Sequence, residues 1–165
     1  MRLIFGNGGW PTGEQLARLC LGGLVGLVAW ELFANLVTPI FVGGPLEPPA
    51  LVTSLIQRWT GVVVPWSLAV AIHWATGILF YPLGYWFTSR WLVSFGTLGD
   101  GLLWGVITWI LALGVFASLA GLPFMLGFIP LAWFSLIGHV IYAVLAVALA
   151  ERGQGRTNPA APVRS

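Results

Sequence analysis

The sequence predicts an all-α polytopic membrane protein whose four transmembrane helices form an up-down bundle. Of its 165 residues, 58% are hydrophobic and 7% are charged, and the mean hydropathy is +0.92. Soluble domains carry roughly a quarter charged residues, so this composition excludes an ordinary soluble enzyme. The whole stretch 101–150, between Asp100 and Glu151, lacks Asp, Glu, Lys and Arg. That stretch is more than twice the ~20 residues that cross a bilayer once, and it therefore predicts several spans.

The charged residues and the cysteine count narrow the possible partners. The seven basic residues are scattered along the chain, at Arg2, Arg18, Arg58, Arg90, Arg152, Arg156 and Arg164. A nucleic-acid-binding surface concentrates basic residues on one face. This distribution therefore predicts contact with the lipid bilayer and no nucleic-acid partner. The single cysteine, Cys20, excludes an intrachain disulfide and a cysteine-based metal site.

The first span is predicted at 16–42. It follows a capping box, in which the Thr12 hydroxyl accepts from the Gln15 amide while the Gln15 side chain reaches back to the Thr12 amide. The span is apolar from Leu16 onward, but Glu31 and Asn35 interrupt its second half. These polar residues make the first span the one most in need of partners from neighbouring helices.

Glycines and prolines divide the rest of the chain. Gly43-Gly44-Pro45 and Pro48-Pro49 end the first span, because proline removes a backbone donor and breaks a helix. Segment 50–60 places its apolar residues on one side, which predicts a short helix lying at the membrane interface. Three further spans are predicted at 61–87, 101–122 and 128–150, the last two joined by a tight turn at Pro123, Gly127 and Pro130.

The topology follows from the number of spans and the arginines. Residues 1–150 are predicted to form one four-helix domain, followed by a disordered cytoplasmic tail at 151–165 with almost no large apolar residues. Four spans put both termini on one side of the membrane. The arginines near the span ends lie on that side, except Arg58. By the positive-inside rule, both termini are predicted to be cytoplasmic.

Small residues at helical spacing predict where the spans pack. Lipid tails are as apolar as leucine, so transmembrane helices associate through close backbone approach at small residues. The predicted packing positions are Gly22 and Gly26 in span one, Gly77 in span two, Gly101 and Gly105 in span three, and Ala143 in span four.

Three ionisable residues inside the predicted spans are the candidate site: Glu31, His73 and His139. Such groups are costly in a membrane unless paired, so they mark functional sites by default. Glu31 lies about 20 Å along its helix from Arg18, and His139 lies about the same distance from Arg152. Glu31 and His139 are therefore expected at similar depth. His73 lies about 25 Å from its cytoplasmic arginine and is expected somewhat further out, within about one helical turn of the other two.

Three polar residues are the predicted hydrogen-bond partners of this cluster. Asn35 lies one turn from Glu31, and Tyr142 lies three residues from His139 on nearly the same face. Thr38 follows Asn35 toward the end of the first span.

A succession of short motifs resembles the YagU-like family of bacterial inner-membrane proteins. The motifs are Ala29-Trp30-Glu31 and a Pro-rich loop, Ile72-His73-Trp74, Gly84-Tyr85, Gly101-Leu102-Leu103-Trp104-Gly105, Leu122-Pro123-Phe124-Met125-Leu126-Gly127 and Gly138-His139-Val140. They cover most of the chain in order. The chain departs from the family in its shorter loop after span one and in having no histidine in span three. The resemblance implies a bacterial inner-membrane location and a loose link to acid tolerance, and it brings no established reaction or cofactor.

Three hypotheses about function remain open at this point. The first is a non-enzymatic membrane protein, a structural or accessory subunit of a homo-oligomer or larger complex, in which Glu31 and the histidines form a buried polar cluster. The second is a proton-linked role in acid tolerance, since histidine changes charge near neutral pH. The third is a metal or b-type haem site with Glu31, His73 and His139 as ligands. No Gly-x-Ser-x-Gly elbow or phosphate-binding glycine loop points to an enzyme.

Overall fold

A computed structural model describes residues 9–89 and 94–152, and this part of the chain is helical and contains no strand. The helices are α1 (Gly13–Val42), α2 (Pro48–Thr60), α3 (Trp66–Thr88), α4 (Gly96–Leu119) and α5 (Pro130–Ala150). All but α2 are long and apolar enough to cross a membrane. The predicted fold class, an all-α bundle with four spans, is confirmed.

Local capping explains where α1 begins. The Gln15 amide donates to the Thr12 hydroxyl at 3.3 Å, and the Thr12 amide donates to the Gln15 side chain at 2.8 Å. This reciprocal cap starts the helix at Gly13, three residues before the predicted start of the apolar span. Helix α1 is consequently about 45 Å long, which exceeds the ~30 Å of a hydrocarbon core.

The second span begins later than predicted. Gly61 ends α2 in the left-handed region with φ 73°, and residues 61–65 then run without helical structure to Pro65. Since proline lacks the amide that a preceding helix would use, the new helix starts only at Trp66. The third span begins earlier than predicted, at Gly96, and the fourth starts at Pro130. The predicted tail lies outside the described residues from position 153 onward.

Glycines bring the backbones of the spans together. A Cβ added to Gly22 or Gly26 would lie 2.5 Å from a carbonyl oxygen of α5, that of Ala146 or Tyr142. The same test on Gly101 and Gly105 gives 2.7 Å to Cα atoms of α5, and on Gly77 it gives 3.0 Å to the Leu27 side chain. Ala143 of α5 is fully buried in the same core. Helix α5 therefore packs closely against both α1 and α4, and α1 also packs against α3.

Helices α3 and α4 flank this packed centre. No comparably close packing joins α3 to α4 within the described residues. At the end of the bundle near the termini, the Trp104 ring bridges them by approaching Gly84 and Tyr85. Toward the other end, α2 packs against α3 and the end of α4. The four spans thus form an open arc in the order α3, α1, α5, α4.

The turn between α4 and α5 has an unusual backbone. Met125, Leu126 and Phe128 have φ between 51° and 58°, and Gly127 has φ 65°. The left-handed region costs a residue with a side chain roughly 1–2 kcal/mol. Met125 is buried in a second core cluster with Trp109, whose indole N–H donates to the Ala132 carbonyl at 2.9 Å. Burial of the Met125 side chain offsets part of the backbone strain.

The seam between α1 and α5 can be tested with Gly26→Ala. The added methyl group meets backbone atoms of α5, which cannot move aside like a flexible side chain, so the helices must separate. We expect a loss of about 1–3 kcal/mol in the free energy of unfolding in detergent micelles. Gly13→Ala is the matched control, because nothing lies within 4 Å of its added Cβ. Equal stability of the two variants would contradict this packing.

Candidate functional site

The centre of the candidate site is a contact between α1 and α3. Nε2 of His73 lies 2.8 Å from Oε1 of Glu31. The His73 side chain is 14% exposed and the Glu31 side chain 27% exposed, so the pair is partly covered by the bundle. A carboxylate oxygen accepts, and Nε2–H of His73 therefore donates. Two of the three predicted ionisable residues are brought together.

Asn35 completes the surroundings of the carboxylate on the outer side. Its side-chain amide donates to Oε2 of Glu31 at 3.1 Å and to the Glu31 backbone carbonyl at 2.9 Å. Asn35 itself is exposed on the surface of the bundle. Both carboxylate oxygens of Glu31 therefore have a protein partner within the membrane-spanning bundle.

Widened helical turns accompany these contacts. Residues Phe33–Val37 directly after Glu31, and Thr76–Phe80 shortly after His73, are π-helical. A π-turn shifts the hydrogen-bond ladder by one residue and changes which side chains face a neighbour. Thr38 serves this local turn, because its hydroxyl donates to the Phe33 carbonyl at 3.2 Å. The structure gives Thr38 no hydrogen bond to Glu31 or His73.

His139 occupies a separate place beside the pair. Its Nδ1 lies 2.7 Å from the Ser135 carbonyl oxygen of its own helix, and its ring is buried. The Trp30 ring contacts both histidines, at centroid distances of 5.6 Å to His73 and 6.3 Å to His139. Within residues 9–89 and 94–152, no group of three His, Cys, Asp or Glu side chains is arranged to hold a metal ion. Sequence position alone placed His139 with the pair, and the geometry sets it apart.

Tyr142 links α5 to α3. Its hydroxyl donates to the Gly77 carbonyl at 2.6 Å, and its ring packs 6.0 Å from that of Tyr81. The accepting carbonyl lies in the π-helical turn of α3. Tyr142, which the sequence predicts as a partner of His139, thus joins α5 directly to α3 through a hydrogen bond.

A cavity of about 610 Å³ adjoins the site, and residues of all five helices line it. His73 and His139 both contribute to its wall, together with Trp30. Most of the remaining lining is apolar. The cavity lies where α3 and α4 do not pack directly against each other.

A second polar cluster, which the sequence analysis did not predict, lies at the end of the bundle near the termini. Glu151 accepts from the hydroxyls of Tyr85 at 2.7 Å and Thr97 at 2.5 Å. Asp100 accepts from the Ser94 hydroxyl at 2.7 Å and from the Phe95 amide at 2.8 Å. The sequence carried one signal for this cluster, because Asp100 and Glu151 stand at the two ends of the uncharged stretch 101–150. The bonds to Glu151 tie the ends of α3, α4 and α5 together, whereas those to Asp100 stay at the start of α4.

The arrangement of Glu31 and His73 permits limited chemistry. The pair can share one proton across a 2.8 Å contact, and Asn35 stabilises the carboxylate from the other side. Within the part of the chain that the structure describes, the side-chain hydrogen bonds of Glu31 and His73 involve no Ser, Cys or Thr nucleophile. No protein-family model, curated protein or solved structure matches the chain.

Proposed function

We propose that this integral membrane protein is a non-enzymatic structural or accessory subunit of a membrane assembly. The observation that carries the proposal is the hydrogen bond between Glu31 and His73, which fixes α1 against α3 at a defined height and rotation. Charged groups in a membrane are costly when they lack a partner. The pair thus selects one packing of the two helices over alternatives that would leave a charge unpaired.

The exposed side of this pair supports a role within an assembly. Polar side chains inside spans almost always face the interior of a bundle. Asn35, however, is exposed on the outer face of α1, next to Leu36, which is 63% exposed. A second copy of the chain or another transmembrane helix laid on this face would cover the Asn35 amide.

The pair needs no resident cofactor for this role. Glu31 and His73 satisfy each other, and Nδ1 of His139 is used by its own backbone. The same hydrogen bond supports a second proposal, a proton-linked role, because it joins two titratable groups whose contact depends on their protonation. A metal or haem site stays a sequence-based hypothesis.

The proposed location is the bacterial inner membrane with both termini in the cytoplasm. Arg18 donates to the backbone carbonyl of Arg152 at 2.6 Å and forms an ion pair with Glu14, so these residues share one end of the bundle. Arg58 belongs to α2, near the other end. This separation supports the orientation that the positive-inside rule predicts.

The Glu31–His73 contact can be measured with a double-mutant cycle. Glu31→Leu and His73→Leu each leave one polar partner alone, so each should lower the free energy of unfolding in detergent. The double variant should lose less than the sum, with a coupling energy of about 1 kcal/mol. A matched cycle of Glu31→Leu with His139→Leu should give a coupling near zero, because His139 bonds within α5.

Glu31→Gln then separates the structural from the proton-linked role. Glutamine keeps an oxygen that accepts from His73, so a structural pair should retain most of its stability. If the losses in unfolding free energy of Glu31→Leu and His73→Leu simply add in the double variant, the proposed structural role is contradicted. Near-normal stability of Glu31→Gln, together with loss of a pH-dependent phenotype, would favour the proton-linked proposal instead.

Assembly can be tested at Asn35. Two copies with different tags, expressed together and extracted in mild detergent, should purify together if the face around Asn35 contacts a second copy. Asn35→Leu should reduce this association, and the protein should still elute as a single folded species of smaller size. The matched control is Leu36→Ala, which removes apolar area at the adjacent exposed position and leaves the Asn35 amide in place. Identical behaviour of the wild-type and Asn35→Leu proteins would exclude a homo-oligomer through this face.

The orientation can be read with reporter fusions. Alkaline phosphatase inserted in the segment 61–65 should be active, since that segment is expected outside the cytoplasm. The same reporter after residue 152 should be inactive, and a fluorescent protein there should be bright. The opposite pattern would overturn the proposed cytoplasmic position of the termini.

A further inference from the structure

The cavity between α3 and α4 has the size and lining of a ligand site. Its volume of about 610 Å³ falls within the ~300–1,000 Å³ of small-molecule pockets, which are mostly apolar with a few polar groups. Helix α2 supplies an apolar wall that includes Leu51 and Leu55, and α4 supplies Phe116. Such walls suit a hydrocarbon tail.

His139 and Tyr81, which both line the cavity, each carry a polar atom with hydrogen-bonding capacity. Nδ1 of His139 lies 2.7 Å from the Ser135 carbonyl oxygen, which can only accept, so Nδ1 carries the proton of the neutral ring. Nε2 of His139 is therefore an acceptor. The Tyr81 hydroxyl both donates and accepts. Within residues 9–89 and 94–152, neither atom has a hydrogen-bond partner.

Three other hydroxyl groups around the cavity donate to backbone carbonyls. Thr76 donates to the Ile72 carbonyl at 2.8 Å, and Ser54 donates to the Ala50 carbonyl at 2.9 Å. Tyr142 donates to the Gly77 carbonyl at 2.6 Å. Nε2 of His139 and Nδ1 of His73 are therefore acceptors in the lining, and the Tyr81 hydroxyl is a donor. Tyr81 packs 6.0 Å from Tyr142, which lies one turn from His139 on α5.

The charge of the lining excludes an anionic head. None of the arginines within the described residues lines the cavity, whereas the exposed carboxylate of Glu47 does. Arg58, the nearest arginine in sequence to this wall, lies instead against Gly121, about 3.1 Å from the position of an added Cβ. A phosphate group would find no cation here and would be repelled by Glu47.

We propose that the cavity binds an uncharged lipid whose head carries a hydroxyl group. That hydroxyl donates to Nε2 of His139 and accepts from the Tyr81 hydroxyl, while the apolar tail lies along α2 and α4. A carbonyl-only head would leave His139 without a donor. Diacylglycerols and prenyl alcohols share this chemistry and are present as neutral lipids of bilayers. His73 lines the same cavity, but its Nε2 atom is bonded to Glu31.

The experiment uses the full chain in lipid nanodiscs and measures binding of dioctanoylglycerol and of geranylgeraniol by native mass spectrometry. We expect saturable binding of at least one of them, and the stronger of the two identifies the natural source. Dioctanoylglycerol with its hydroxyl acetylated should bind about five- to tenfold more weakly, because the donor to His139 is lost. Phosphatidylglycerol should not compete.

Variants locate the bound lipid. Tyr81→Phe removes only the hydroxyl and should weaken binding about five- to tenfold. Ala112→Phe fills the cavity from α4 and should abolish binding. Tyr85→Phe is the matched control, because Tyr85 lies one turn further along α3 and its hydroxyl bonds to Glu151 outside the cavity. It should bind like the wild type.

Several outcomes would overturn the proposal. Equal binding of the acetylated and free lipids would show an apolar cavity with no selection for a hydroxyl. Stronger binding of phosphatidylglycerol would show an anionic site. Unchanged binding in Tyr81→Phe would place the lipid elsewhere, and this conservative variant keeps the test valid if Ala112→Phe fails to fold. None of these results depends on whether the protein forms an assembly.

Discussion

The close approach of α1 and α4 to α5 is the constraint on which the rest of the bundle depends. Gly22 and Gly26 bring α1 to backbone contact with α5, and Gly101 and Gly105 do the same for α4. Because water drives no association of apolar helices within a lipid bilayer, these contacts supply the packing energy directly. Helix α3 packs mainly against α1 and reaches α5 through a few contacts, such as the Tyr142 bond to the Gly77 carbonyl. The open arc, the gap between α3 and α4, and the position of α2 all follow from this order.

The polar groups in the bundle form hydrogen bonds with neighbours that this order of helices places beside them. Glu31 bonds to α3, the helix that packs beside α1, and His139 bonds within α5. Tyr142 reaches across to a carbonyl in the π-helical turn of α3. Each solution leaves few unpaired polar atoms, as a medium without water requires. Tyr81 and His139, which each carry a polar atom with remaining hydrogen-bonding capacity, both belong to the cavity wall.

The sequence was sufficient for features that depend on composition or on spacing along one helix. The uncharged stretch 101–150 predicted several spans, and Thr12 with Gln15 predicted the cap of α1. Depth along the helices placed Glu31 and His73 near enough to meet. The rotation of α1 and α3 about their axes could not be predicted from the sequence. The π-helical turns after Glu31 and His73 change which side chains face a neighbour, and no regular helical periodicity predicts that change. Thr38 was therefore grouped with Glu31, to which it does not bond. His139 was grouped with the pair from its depth alone, and its ring bonds instead to the Ser135 carbonyl of its own helix. The role of Glu151 also required the three-dimensional arrangement, since its partners come from distant parts of the chain.

The cavity also bears on how the bilayer meets the bundle. It is a partly open cleft of about 610 Å³ whose walls are mostly apolar. The glycine seams hold α1 and α4 against α5, and α3 packs against α1, so the space between α3 and α4 follows from the order of the helices. Apolar walls of this kind suit hydrocarbon chains. At the proposed lipid site, selection among lipids comes from the polar groups of the lining. Tyr81 and His139 then decide which head group is retained, whereas the apolar walls accept any tail.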